Sequence, residues 1–189
     1  MGEPTLLRTP RLLIRPFEPA DRAEYLRVHA ESREHFRPWS PIIIRTDEEI
    51  FDTALRERED PSVWRAGAFL PDARLAAVFS LTQIFRGPFQ NAYAGWRVAA
   101  DQVRRGLATE GMRAVLGFAL APAGAGGLGL HRVQANVIPT NAPSLRVAEK
   151  IGMRREGLAL RYLEIDGRWQ DHVMFARTAE DPPWPGDLG

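Results

Sequence analysis

One stretch narrows the folds open to this chain more than any other. It runs from Gly95-Trp96-Arg97-Val98 to Val103-Arg104-Arg105-Gly106-Leu107-Ala108-Thr109-Glu110 and on into the apolar run Met112 to Leu120. It reads as a strand, a short polar turn, a basic glycine-containing loop, and a helix whose first turn is formed by that loop. A helix start leaves four backbone N–H groups without intrahelical partners and carries a partial positive charge. Two arginines and a glycine placed there make an anion site, suited above all to a phosphate or pyrophosphate. A solvated basic loop without a ligand is the plain alternative, and the loop alone does not decide between them.

The 189 residues are enough for one domain with a substantial core, expected over 1–178, followed by a proline-rich tail over 179–189. Hydrophobic residues at 44% and charged residues at 26% fit a globular chain, and a net charge of +1 argues against a dedicated nucleic-acid binder. Of 25 basic residues only Lys150 is a lysine; the arginines suit bidentate phosphate contacts, though compositional bias explains them equally well. With no cysteine, disulfides, thiolate metal sites and a cysteine nucleophile are all excluded. His29, His35, His131 and His172 show no metal-binding spacing, so no metal is expected. There is no apolar run of the roughly 18 residues a membrane helix needs. Met1-Gly2-Glu3-Pro4 lacks the basic and apolar regions of a signal peptide, and Leu6 stands where myristoylation wants serine or threonine. The cytoplasm is the expected compartment.

In chain order, Arg11 to Phe17 predicts a first strand, and Pro19-Ala20-Asp21 opens a helix through His29. His35-Phe36-Arg37-Pro38-Trp39-Ser40-Pro41 holds two prolines and two aromatics, which argues against a regular element. Thr46-Asp47-Glu48-Glu49 is a capping box that opens a second helix. Val63 to Leu70 and Leu75 to Phe85 predict strands about the turn Pro71-Asp72-Ala73-Arg74, and Asn91 to Val98 predicts a fourth. In the helix Gly106 to Leu120, Leu107, Gly111, Val115 and Phe118 share one buried face. Ala121 to Gly129 reads as a flexible connection. A strand from His131 to Val137 and a short helix from Asn141 to Lys150 follow. Arg155 to Ile165 and Arg168 to Arg177 form a hairpin around Asp166-Gly167.

The basic loop resembles the acyl-CoA-binding signature Q/R-x-x-G-x-G/A of the GNAT superfamily of N-acetyltransferases. Gly106 and Ala108 hold its last two defined positions, Val103 departs from the Q/R position, and Arg104 stands where many members carry glycine. The element order β-α-α-β-β-β-α-β-α-β-β is that of the GNAT fold. The chain is most similar to the branch that acetylates ribosomal-protein N-termini, in particular the ribosomal-protein alanine N-acetyltransferases. The resemblance is carried by Arg8-Thr9-Pro10-Arg11-Leu12, His35-Phe36 with Pro38-Trp39-Ser40-Pro41, the Gly106–Glu110 loop, Asn141-Ala142-Pro143-Ser144, Glu149-Lys150-Ile151-Gly152-Met153, Arg155-Glu156-Gly157 and Gly167-Arg168-Trp169-Gln170-Asp171-His172.

The resemblance implies an α/β mixed sheet whose fourth and fifth strands splay apart, here Tyr93 to Val98 and Arg132 to Val137. It implies acetyl-CoA as co-substrate, its pyrophosphate held by Arg104, Arg105, Gly106, Leu107, Ala108 and Thr109. Backbone groups near Trp96, Arg97 and Val98 would pair with the pantetheine amides and the acetyl carbonyl, with Asn136 facing them. As a plain core aromatic, Trp96 needs no ligand. Asn141 and Ser144 form the second part of the donor site, the Ser144 hydroxyl near the CoA sulfur and able to protonate the thiolate. N-x-x-S at a helix start is equally ordinary capping chemistry. The general base stays open: Tyr162 is a candidate proton shuttle, Glu164 cannot be aligned to the role, and Asp171 is either structurally paired or functional. Phe36, Trp39 and Trp169 are expected to flank the acceptor entrance.

The activity implied is direct acetyl transfer to a primary amine, either a protein N-terminus such as that of a ribosomal protein or a small amine such as an antibiotic, polyamine or amino acid. A CoA-binding module without catalysis, or a ribosome-associated binding protein, is the reading outside enzymology. No membrane or direct nucleic-acid partner is expected, and the oligomeric state is left open.

Overall fold

Eight strands and four α-helices are present in the computed structural model, which describes residues 6–41 and 45–182. The strands are β1 (Leu7–Arg8), β2 (Leu13–Arg15), β3 (Trp64–Phe69), β4 (Leu75–Thr82), β5 (Asn91–Val98), β6 (Arg132–Val137), β7 (Arg154–Ile165) and β8 (Arg168–Thr178). The helices are α1 (Arg22–Phe36), α2 (Asp47–Arg56), α3 (Leu107–Leu120) and α4 (Ala142–Lys150). They build one mixed sheet in the order β1-β2-β3-β4-β5-β6-β8-β7, antiparallel except where β5 meets β6.

Alternation along the strands sends side chains to two separate hydrophobic clusters. Phe79, Leu81, Ala92, Val133 and Phe175 join α3 and α4 residues such as Met112, Leu116 and Ala148 on one face. Phe17, Phe69 and Val78 join Tyr25, Val28, Phe51 and Ala54 of α1 and α2 on the other. Gly111 allows α3 to lie close on the sheet, because a Cβ there would stand 2.3 Å from the Phe79 ring. The expected face of α3 is the buried one, with Leu107, Gly111, Val115 and Phe118 all inside.

Several expectations are corrected. The short strand β1 was not foreseen, and the first expected strand shrinks to Leu13–Arg15, pairing with both β1 and β3. Helix α1 runs past His29 to Phe36, and Arg37–Trp39 forms a 3-10 turn with Pro38 inside it. The buried stripe of α1 is Tyr25, Val28, His29 and Ser32; two polar members hide its periodicity. β4 ends at Thr82 rather than Phe85, since Gln83 turns to positive φ (49°). The Ala121–Gly129 connection is tied back to α3: the N–H groups of Leu128 and Leu130 donate to the carbonyls of Phe118 and Ala119 at 2.9 Å.

Local signals elsewhere produce the elements they predict. Thr46 and Glu49 exchange side-chain and backbone hydrogen bonds at the start of α2, at 3.2 and 2.8 Å. Asp166 and Gly167, at φ 49° and 72°, form the two-residue turn that closes β7 onto β8. Asp181, at the start of the expected tail, accepts from Arg154 and from the Thr178 N–H; residues 183–189 lie outside the described residues.

Candidate active site

Among the described residues, the sheet opens at its one parallel pair. Asn91, Ala92 and Tyr93 of β5 pair with Arg132, Val133 and Gln134 of β6, and the ladder stops there. Beyond it, β5 keeps β4 on one side, through to Val98 opposite Ala77, while β6 keeps β8, through to Val137 opposite Val173. The wedge between them is the floor of a cleft of about 860 Å³. Ala94 to Val98 form one wall, Asn136, Val137 and Ile138 the other, and the Gln102–Thr109 loop and α4 close one end. Trp96 lines this wedge while also packing on the α3-side cluster. The β4–β5 register is unbroken, so Gly95 marks no bulge; a Cβ there would lie 2.9 Å from Ser80 Oγ.

At the closed end, Gly106 is the N-cap of α3 in the left-handed region (φ 78°), with no side-chain cap. The first recorded intrahelical donor is Glu110 N, to Gly106 O at 3.1 Å, which leaves the amides of Leu107, Ala108 and Thr109 outside that ladder. Arg104 (φ 62°) precedes them, and Arg105 donates to Gln102 Oε1 at 2.5 Å. Across the cleft mouth, Arg146 and Lys150 stand one helical turn apart on α4. Among the described residues, Arg104, Arg146 and Lys150 have no carboxylate partner. Free amides at a helix start ringed by unpaired cations fit a polyphosphate group.

The loop is held from below. Glu110 accepts from Thr9 Oγ1 (2.6 Å), Arg11 N (2.9 Å) and Arg11 Nε (2.6 Å), while Arg11 Nη1 donates to the Arg105 carbonyl at 2.8 Å. Burial works against the Glu110 charge, but these bonds outweigh it and hold its carboxyl below the usual range.

In the middle of the wedge, Asn141 is the cap of α4: its Oδ1 accepts from Ser144 N at 3.2 Å. Ser144 is therefore not the cap; it lines the cleft, and among the described residues its hydroxyl has no hydrogen-bond partner. Opposite, Gln134 Nε2 donates to Asn136 Oδ1 (3.0 Å), and Asn136 Nδ2 donates to Tyr162 Oη (2.8 Å). Tyr162 reaches this position because β7 carries extra residues between Ala159 and Leu163, with Arg161 at φ 50°. Asp171 accepts the Arg161 N–H at 2.8 Å, which gives that carboxylate a structural partner. Burial, then the Tyr93 charge, raise the Tyr162 pKa and keep it a neutral phenol.

His172, only 3% exposed, faces the cleft beside Tyr162, ring centroids 5.1 Å apart. Its Nδ1 lies 3.0 Å from the Gln170 carbonyl, which can only accept. The neutral ring therefore carries its hydrogen on Nδ1 and presents a lone pair on Nε2. Burial lowers its pKa below the ordinary 6.5, so the neutral form prevails near neutrality.

At the open end, Phe36 and Trp39 line the cleft, joined by the Arg97 side chain, but Trp169 does not; it is 63% exposed beside the hairpin turn, opposite Glu164. Sequence reasoning missed His172, Arg146 and Lys150. The last two show as an i, i+4 basic pair after Asn141, whereas His172 depends on strand pairing that no local pattern encodes.

Among the described residues, a mixed sheet parted where β5 and β6 run parallel, with a basic, uncapped helix start at one end of the gap, offers an open strand edge that ends in a polyphosphate site, an arrangement suited to a coenzyme A thioester. The chain belongs to the GNAT family: residues 11–154 match its acetyltransferase (GNAT) domain. It is an acetyl-CoA-dependent N-acetyltransferase. It is similar to the probable N-acetyltransferase YjcK of Bacillus subtilis, 33% identical over 90% of this chain and 96% of that protein. It is also similar to the [ribosomal protein uS5]-alanine N-acetyltransferase of Escherichia coli, 28% identical over 93% of this chain and 91% of the relative. Among solved structures, Mycobacterium smegmatis RimJ in complex with CoA-disulfide superposes with a TM-score of 0.82 at 28% identity, covering 95% of this chain and 88% of that one.

Proposed function

We propose that the chain acetylates the N-terminal α-amine of a protein, of the ribosomal-protein alanine type, in the cytoplasm. One observation carries this reading. The similarity to the uS5-alanine enzyme extends over 93% of the chain, and so takes in the α1–Trp39 segment and the β7–β8 hairpin that border the acceptor end as well as the donor loop.

The roles follow from what each group can do. The amides of Leu107, Ala108 and Thr109, with Arg104 and Arg105, hold the pyrophosphate, and the unpaired edge of β5 from Trp96 to Val98 orients the pantetheine arm. Bound acetyl-CoA supplies an activated acyl carbon. Asn136 faces that carbon from β6, anchored on Tyr162. His172 Nε2 takes one proton from the incoming ammonium; the freed amine nitrogen then bonds to the acyl carbon as the C–S bond breaks and sheds its second proton to water, while the Ser144 hydroxyl gives a proton to the departing sulfur and regains one from water. A thiol pKa of about 8.5 makes that donation helpful rather than obligatory. Transfer is direct, because the chain has no cysteine to carry an acyl group.

The test is incubation with acetyl-CoA and peptides of varied N-terminal residue, read by mass spectrometry. Acetylation at the α-amine of alanine-initiated peptides is the expected result. Acetylation confined to small amines would overturn the protein-acceptor reading.

A further inference from the structure

Arg97 is an anomaly in this cleft. Its strand partner Val78 belongs to the α1/α2-side cluster, so its side chain leaves the sheet on that face, away from Trp96 and Val98. There its guanidinium stands 5.7 Å from the centre of the Phe36 ring, and it lines the acceptor end of the cleft with Phe36 and Trp39. Most of the arginines nearby have a carboxylate: Arg65 donates to Glu57 at 2.6 Å, Arg33 to Asp47 at 2.8 Å, and Arg15 to Asp21 at 2.7 Å. Among the described residues Arg97 has neither an ion pair nor a hydrogen-bond partner for its side chain; the Phe36 ring is its recorded contact.

The neighbours do not supply the missing anion. Burial is the largest influence and pulls the Arg97 pKa down; the Tyr25 hydroxyl and Asp47 favour the charge from a distance without offsetting it, and Arg65 opposes it. A guanidinium nonetheless remains protonated in proteins. A cation held in low-dielectric surroundings without a counter-ion destabilises the fold. Such a cost persists where the counter-ion arrives with a ligand.

We propose that Arg97 binds a carboxylate of the acceptor, so that preferred substrates are amines carrying a carboxylate a few bonds from the reacting nitrogen. This rests on the N-acetyltransferase reading above. A single planar fork with no second free cation beside it suits a carboxylate, which it can grip through two parallel hydrogen bonds. A phosphate dianion asks for more charge than this end of the cleft provides. The Phe36 ring, 5.7 Å from the guanidinium carbon, is a cation–π neighbour that supplies no counter-charge, so a ligand carboxylate would meet no competing anion there. The carboxylate has two possible sources, an acidic side chain at the second or third residue of a peptide, or the α-carboxylate of a free amino acid.

The experiment compares wild type with Arg97→Met on matched pairs: peptides beginning Ala-Glu against Ala-Gln, and free alanine against alaninamide. The ratio of kcat/KM within each pair is the readout, so a general loss of activity in the variant cancels. Wild type is expected to favour the carboxylate member by about 10- to 100-fold, the range of one charged hydrogen-bonded contact, and the variant to bring the ratio near one. A preference confined to the peptide pair assigns the acidic side chain. One confined to the free amino acid keeps the role of Arg97 and overturns the protein-acceptor reading instead. Calorimetric binding of the C-terminally amidated products Ac-Ala-Glu-NH2 and Ac-Ala-Gln-NH2 gives the same comparison without turnover. The Tm of Arg97→Met should equal or exceed that of wild type, since it removes an uncompensated charge. Ratios near one in wild type, or ratios that survive the substitution, would overturn the proposal.

Discussion

Glu110 accepts a hydrogen bond from Arg11 Nε at 2.6 Å although the two residues lie 99 apart in sequence. The contact ties the N-terminal hairpin to the first turn of α3, and the same arginine holds the Arg105 carbonyl. The Arg8–Leu12 segment thus supports the anion loop without lining it.

Removing that support should weaken donor binding from a distance. Glu110→Ala takes away the acceptor of three hydrogen bonds, two of them from Arg11, and should cost about 2 kcal/mol of stability. It should also weaken CoA binding by roughly tenfold through loss of loop order. Calorimetry on the folded variant checks the second effect; unchanged affinity would show that the loop holds its shape unaided.

Ser144 is freed from the capping role by Asn141, which sharpens the prediction for its removal. Ser144→Ala should leave the melting temperature nearly unchanged and lower kcat by about tenfold, equivalent to about 1.4 kcal/mol of lost assistance. Asn141→Ala should do the reverse on stability, costing about 1 kcal/mol as a lost cap. A Ser144→Ala enzyme with wild-type kcat, measured where chemistry limits turnover, removes the hydroxyl from the mechanism.

His172 gives a pH signature. Burial lowers its pKa, so kcat/KM should rise with pH through a midpoint below 6.5 and then level off. In His172→Gln the acceptor must arrive already deprotonated. Activity should fall by about 10²-fold at neutral pH and climb instead through the α-amine pKa near 8. If the two profiles share one midpoint, the base lies elsewhere.

His29 predicts acid sensitivity of the fold itself. It is 5% exposed, stacked on Tyr25 at 4.0 Å, and flanked by Arg97, Arg33 and Asp47. Burial and then the Arg97 charge lower its pKa from 6.5 to about 4, with Asp47, 3.6 Å away, only partly opposing them. Above pH 6.5 both folded and unfolded states are neutral here. Between 6.5 and about 4 only the unfolded chain takes the proton, so stability falls as pH falls, by up to about 3 kcal/mol. Melting temperatures over that range should drop more steeply for wild type than for His29→Gln; parallel curves would contradict the buried neutral state.

What could be read from sequence was set by how far each signal reaches. Thr46 with Glu49, Asp166 with Gly167, and the glycine before α3 act within a few residues, and each produced the element it announces. The length of α1 was hidden because His29 and Ser32 occupy buried positions that a hydrophobicity pattern expects to be apolar. Tyr162 was noticed as a residue type, but its bond to Asn136 depends on the irregular pairing between Ala159 and Leu163. His172 escaped for a related reason, as did the side chain of Arg97, which was named only for its backbone. Their significance lies in which partners they have or lack across strands, and that is settled only when the sheet forms.

The three-residue ladder between β5 and β6 sets stability and turnover in competition. Extending it by one step, to Ala94 and Ala135, would add backbone hydrogen bonds to the sheet at the weakest joint between its two halves. The same step would occupy the strand edge proposed above to take the thioester arm. Substitutions that stiffen this seam should therefore raise the melting point and slow the enzyme together, whereas stabilising changes on the solvent side of α2, away from the cleft, carry no such penalty.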